Sequence, residues 1–274
     1  MEHPALPLVS PTWLLDHLND PDLTILDVRW ALPEGADRDG YLKAHLPGAR
    51  FIDLDRELAD PPGIEGRHPL PSPERFTKAM QRAGVSQVGR VVAYDGGTGG
   101  AARAWWLLRA SGHARTTVLD GGLAGWLAAA GPVESGEVAA EPGDFAVSSF
   151  QGWVSADETA ELLAAGAVVL DARTKERFAG AASPFDPRPG HIPGARSLPW
   201  TEAYPAGLLI SPGELAGRTA EATGGPEPAV AYCGSGVTAC SLILALESAG
   251  IRGVRLYPGS WSEWAQDPDR PVEI

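Results

Sequence analysis

Cys233 stands at the head of the loop Cys-Gly-Ser-Gly-Val-Thr, residues 233–238, directly after the apolar run Ala-Val-Ala-Tyr. A thiol in that place could be a small core hydrophobe, a metal ligand, half of a disulfide or a nucleophile. The chain holds one other cysteine, Cys240, so no disulfide framework is available, and the few histidines show no zinc-type spacing. If 238 onward is helical, Cys240 lies about 10 Å from Cys233, too far for a bridge; core packing is its expected role. Free cysteines in general also belong to cores. The context of Cys233 argues otherwise. Gly234 and Gly236 permit positive φ, so the chain can turn sharply between strand and helix. The loop amides of Gly234, Gly236, Val237 and Thr238 then form a nest for an anion, backed by the positive end of the helix dipole. Such a nest stabilises a thiolate and makes it nucleophilic at neutral pH.

The elements that must position this loop occur twice. VSPTWLLDHL (9–18) matches VSADETAELL (154–163), LTILDVR (23–29) matches AVVLDAR (167–173), and AHLPGAR (44–50) matches GHIPGAR (190–196). VVAYDGG (91–97) matches AVAYCGS (229–235), and GGLAGW (121–126) echoes GSWSEW (259–264). Five matches in the same order define a tandem repeat. Within each copy, short β-branched runs alternate with helix-length segments, which calls for a parallel sheet covered by helices. Ser10 before Pro11 predicts a helix start, Ser155 with Glu158 has capping-box spacing, and SLILALESAG predicts a helix that stops at Gly250. The expected domains are 1–131 and 153–274, joined by a Pro-, Gly-, Ser- and Glu-rich linker over 132–152.

Differences between the copies locate the chemistry. Asp95 occupies the place of Cys233, so only copy two keeps the thiol. From the HxPGAR histidine to the next Ser-Pro, copy one runs 27 residues and copy two 20. The surplus falls in DLDRELADPPGIEGRHPLP, a long loop that holds Asp55 and His68, and long loops in compact domains tend to be functional. Features both copies share read as structural: His45 with His191, and the strand-end pairs Asp27/Arg29 and Asp171/Arg173. The tryptophans are expected as core anchors, and Trp30 is given no role.

The net charge of −13 argues against a nucleic-acid partner and requires any anionic substrate to be drawn in locally. No apolar run has the length of a membrane span, and the opening MEHPALPLVSPTWLL shows neither the basic nor the apolar region of a secretory leader. A reducing, cytoplasmic location is the expectation.

The tandem repeat, the HxPGA elements and the CGSGVT loop together resemble the two-domain rhodanese-like sulfurtransferases, over essentially the whole chain. The resemblance implies an α/β fold of two tandem rhodanese-like domains, each a parallel sheet flanked by helices, the first inactive and the second carrying Cys233. It implies a persulfide formed on that cysteine and passed to an acceptor: a small thiol, thioredoxin or, in the test tube, cyanide. Members that use thiosulfate carry basic side chains after the cysteine; the neutral Gly234 and Ser235 resemble the 3-mercaptopyruvate branch instead. That branch implies two donor-binding arginines, which fall on Arg177 and Arg188, and a Ser-His-Asp proton relay across the domains, which falls on Ser235, His68 and Asp55. Asp53 competes for the last place, since only the register of FIDLD separates the two. No metal or organic cofactor is implied. Thiosulfate remains an alternative donor, and a non-enzymatic persulfide carrier an alternative role. A Cys-x5-Arg phosphatase is disfavoured, because Ala239 stands where the arginine would be.

Overall fold

The β-branched runs become short parallel strands buried on both faces. The computed structural model describes residues 7–274, so residues 1–6, which open the stretch read above for a leader, lie outside it. The chain packs as two units, one ending at Asp60 and resuming over Pro71–Gln151, the other made of Pro61–Leu70 and Gly152–Ile274. The first unit holds a five-stranded sheet in the spatial order Leu8–Val9, Thr116–Leu119, Arg90–Tyr94, Leu23–Asp27, Arg50–Phe51, every neighbouring pair parallel. The second holds Arg255–Leu256, Pro228–Tyr232, Val168–Asp171 and Arg196–Ser197, again all parallel. Where the first sheet has Leu8–Val9 as its edge strand, the second has only a parallel bridge, Trp153 to Leu256.

Local signals act as the sequence predicts. Ser10 Oγ accepts from the Trp13 amide ahead of the helix Pro11–His17, and Ser155 with Glu158 closes a capping box on Ala156–Ala164. The helix Thr238–Ser248 ends in a turn through Gly250, whose φ is +86°. One core of the first unit joins Leu14, Ile25, Val92, Tyr94, Leu119 and Trp126; its counterpart in the second joins Val154, Val169, Val230, Tyr232, Tyr257 and Trp261. Burying such side chains contributes about 1.5–3 kcal/mol each.

The shared polar residues are fastenings in both copies. Arg29 donates to Asp27 and to Ala44 O, and Tyr94 hydrogen-bonds the same carboxylate while accepting from Leu46 N. Arg173, Asp171, Gly190 O, Tyr232 and Ile192 N repeat the pattern. His45 Nδ1 meets Tyr41 O and His191 Nδ1 meets Phe178 O, each where the chain bridges back to a late glutamate, Glu134 or Glu273.

Two segments depart from a simple reading of chain order. Residues 132–151 are largely irregular but tied to the first unit: Phe145 and Phe150 are buried edge-on to Phe76, and Gly143 N donates to Gln81 O. Residues 61–70 leave the first unit and pack into the second, where Gly66 lies so close to Gly259 that a Cβ would meet its carbonyl at 2.7 Å. No helix among the described residues is long and apolar enough to cross a membrane.

Candidate active site

Strand Pro228–Tyr232 delivers Cys233 to the carboxyl end of the second sheet, and helix Thr238–Ser248 begins five residues later. This is the end at which parallel α/β sheets place their ligands. Cys233 is 1% exposed and held by its backbone: its N–H donates to Ser260 Oγ at 3.1 Å and its carbonyl accepts from Trp261 N at 3.0 Å. Its sulfur accepts the Gly236 amide at 3.1 Å. Gly236 has φ +75°, and a Cβ there would stand 2.2 Å from Pro258 O, so both conformation and space demand glycine. Gly234 O accepts from Ser262 N, and Val237 leads into the helix that Thr238 begins. Cys240 is buried, and its thiol donates to Gly236 O at 3.3 Å; both cysteines are free thiols.

Ser235, 4% exposed, shares a hydrogen bond of 2.8 Å with Nδ1 of His68, itself 5% exposed. This contact spans 167 positions of sequence. It exists because 61–70 packs in the second unit, where Arg67 N donates to Ser262 Oγ. Asp55 stays in the first unit, its two carboxylate oxygens each accepting from Trp30 Nε1 at 3.0 Å. Asp53 is the N-cap of the helix Leu54–Glu57, bonded to Arg56 N. One Asp53 oxygen thus accepts from the backbone, and both Asp55 oxygens accept from the Trp30 ring. Trp30, given no role from sequence, donates its ring N–H to Asp55.

Both arginines expected at the donor also bind protein groups. Arg177 lies in the short helix Lys175–Phe178 and forms a two-pronged pair with Asp186, Nε to Oδ2 at 2.9 Å and Nη2 to Oδ1 at 2.5 Å. Arg188 is bound through Nη2 to the carbonyls of Asp267 and Arg270, and its carbonyl accepts from Trp261 Nε1. Its guanidinium thus pins the 267–270 turn, and any part in donor binding falls to its other edge. The second guanidinium beside Arg177 is Arg67, which sequence reasoning passed over although it precedes His68. A Cβ built on Gly234 would find Arg177 Nη2 at 2.9 Å and Arg67 Nη2 at 3.3 Å as its nearest nitrogens. Arg67 Nη1 donates to Phe185 O at 2.5 Å, while its Nε is buried with no hydrogen-bond partner. Burial pushes this guanidinium below its ordinary value; Cys233 and Asp186 pull the other way, and Arg177 adds to the fall. Two cations therefore face the residue that follows the thiol, in a chain whose net charge is −13. This is local attraction for an anion against the overall field.

The first unit has a different solution at the same place. The Asp95 carboxylate accepts from the amides of Gly97, Gly99 and Ala101 at 2.7, 2.9 and 3.0 Å. The nest there is filled by the chain's own side chain.

The rhodanese-like domain model matches residues 10–129 and again 155–267. A probable 3-mercaptopyruvate sulfurtransferase of Pseudomonas aeruginosa is 44% identical over 275 residues, covering 97% of this chain and 97% of that protein. A putative thiosulfate sulfurtransferase of Mycobacterium tuberculosis is 41% identical over 258 residues, covering 91% and 90%. Among solved structures, a 3-mercaptopyruvate sulfurtransferase from Leishmania major superposes with a TM-score of 0.84 at 32% identity, covering 97% of this chain and 75% of that one.

Proposed function

This chain belongs to the rhodanese-like domain family, and from that premise we propose that it is a sulfurtransferase acting through a Cys233 persulfide, with 3-mercaptopyruvate as preferred donor. The observation that carries the reading is the 2.8 Å bond between His68 and Ser235, two residues beyond a buried thiol that accepts a loop amide. A nucleophile with a neighbouring proton relay suits a donor whose leaving group must gain a proton. The Cys233 thiolate attacks the donor sulfur, the new S–S bond forms as the S–C bond breaks, and the electron pair leaves on carbon as the enolate of pyruvate. Ser235, backed by His68, protonates that carbon. The donor's thiol proton returns to the relay, so the step balances with no outside acid. The relay's carboxylate is assigned to Asp55 on the resemblance.

Arg177 and Arg188 are assigned to the donor's carboxylate and ketone, which guanidinium forks suit. The loop amides stabilise negative charge on sulfur through both half-reactions. A small thiol, thioredoxin or cyanide then attacks the persulfide, which gives ping-pong kinetics. The free thiols suit a reducing, cytoplasmic location. A non-enzymatic carrier would need only the thiol, and Arg177→Ala would hardly affect it. The test is sulfur transfer to cyanide from 3-mercaptopyruvate and from thiosulfate, compared by kcat/KM. A preference for mercaptopyruvate of about tenfold or more, about 1.4 kcal/mol, is the expected result. A thiosulfate preference overturns the donor assignment, and activity surviving in Cys233→Ser overturns the persulfide.

A further inference from the structure

Three non-glycine residues among those described adopt a left-handed φ: Ala130, Ala206 and Ser260, at +57°, +55° and +54°. The two alanines are exposed, whereas Ser260 is fully buried. At the matching place copy one has the same backbone conformation, φ +53°, but uses glycine, Gly122. A side chain in this conformation is strained, and such strain persists only where the surroundings enforce it. We propose that Ser260 is a positioning residue for the sulfur-transfer step, whose hydroxyl fixes the Cys233 backbone so that the thiol itself is left to react. The inference rests on the sulfurtransferase reading above and names the group that holds its nucleophile in place.

The Ser260 hydroxyl makes two bonds, accepting from Cys233 N–H at 3.1 Å and donating to Tyr257 O at 2.9 Å. The next two amides, Trp261 N and Ser262 N, donate to the carbonyls of Cys233 and Gly234 at 3.0 and 2.9 Å. Three consecutive residues, 260–262, therefore grip the backbone on which the thiol stands. In copy one Leu123 N donates to Asp95 O in the same way, at 2.9 Å, but Gly122 has no hydroxyl to offer. A Cβ on Gly122 would stand 2.4 Å from Asp95 O, so a side chain there would displace the loop. That loop is gathered instead by the Asp95 carboxylate, through the amides of Gly97, Gly99 and Ala101. The same task thus falls to the residue's own side chain in copy one and to a neighbour's hydroxyl in copy two. A side chain that anchors its own loop is not available as a nucleophile. Anchoring by Ser260 removes that demand and sets Sγ where the Gly236 amide and an incoming donor meet it. Rate follows from such placement, because a displacement of about 1 Å costs about 100-fold.

The test compares wild type, Ser260→Gly and Ser260→Ala in sulfur transfer to cyanide, with urea unfolding of each protein. Glycine relieves the left-handed φ and removes the hydroxyl, while alanine removes the hydroxyl and keeps the strain. The expected result is a fall in kcat of about 10- to 100-fold in both variants, with whichever donor the wild type uses. KM should stay within about twofold. Ser260→Gly should unfold at a higher urea concentration than Ser260→Ala. Equal losses of kcat in two variants of unequal stability tie the rate to the hydroxyl rather than to the fold. A kcat within about twofold of wild type in Ser260→Gly, losses that track the urea midpoints, or a loss confined to KM each overturn the role of Ser260 while leaving the proposed function standing. A wild type inactive with both donors overturns the proposed function instead.

Discussion

The loops at 95–99 and 233–237 follow equivalent strands and precede helices of equal length, Gly100–Ala110 and Thr238–Ser248, yet they run along different paths. The first reaches positive φ at Gly97 and Gly99, the second only at Gly236. In the first, a carboxylate draws in amides two, four and six positions ahead. In the second, a sulfur takes the amide three ahead, and two arginines stand over the following residue. Equivalent positions thus serve as a structural anchor where a carboxylate gathers the loop amides and as a candidate site where the side chain is a thiol. One exchange, Asp against Cys, goes with a different backbone path around it. Restoring the thiol alone would not restore the site.

The largest effect that could break this comparison is on the thiol itself. Cys233→Ser should lower sulfur transfer by about 10⁴-fold or more, and adding Asp95→Cys to that variant should recover nothing, measured as thiocyanate formed. Recovery would mean the first loop is a latent site. Next, His68→Ala should lower kcat with 3-mercaptopyruvate by about 10²- to 10³-fold. It should affect thiosulfate far less, because sulfite leaves without a proton; equal losses would reduce His68 to a structural part. Third, Gly236→Ala should cost about 3 kcal/mol, from a left-handed φ and the clash with Pro258 O. Gly97→Ala, with open space around it, should cost about 1 kcal/mol by urea unfolding.

The smallest effect concerns pH. Burial pushes the Asp95 carboxyl up, against the pull of its amide bonds, so the folded chain holds this proton more tightly than the unfolded one. Its contribution to stability is then fully present below the unfolded value near 3.8 and lost as pH rises through the raised folded value. Asp95→Asn should remove that share of the slope in unfolding midpoints followed as pH is raised from the unfolded value near 3.8. An unchanged slope would mean the nest holds the carboxylate ionised.

Much of the molecule is written in short stretches. Ser10, Ser155, Pro11 and Gly250 mark helix ends because capping acts over three or four residues, and the repeated strands reveal themselves through apolar runs of strand length. Cys233 and its glycines could be read as a nucleophile loop for the same reason: strand, turn and helix start lie within ten residues. The sequence by itself therefore determined two α/β copies and one thiol-bearing loop, while His68 and Ser235 were paired only through the family resemblance. What surrounds the thiol was decided only by tertiary packing. Residues 61–70 belong by order to the first copy and by burial to the second, and nothing local to GIEGRHP announces that transfer. Arg67 reaches Phe185 across 118 positions, and Asp186 takes Arg177, while Arg188 turns to the 267–270 carbonyls. Long side chains such as arginine go where distant backbone groups and charges satisfy their donors. The backbone partners of Arg67 and Arg188 lie 79 to 118 positions away and meet them only in the folded chain.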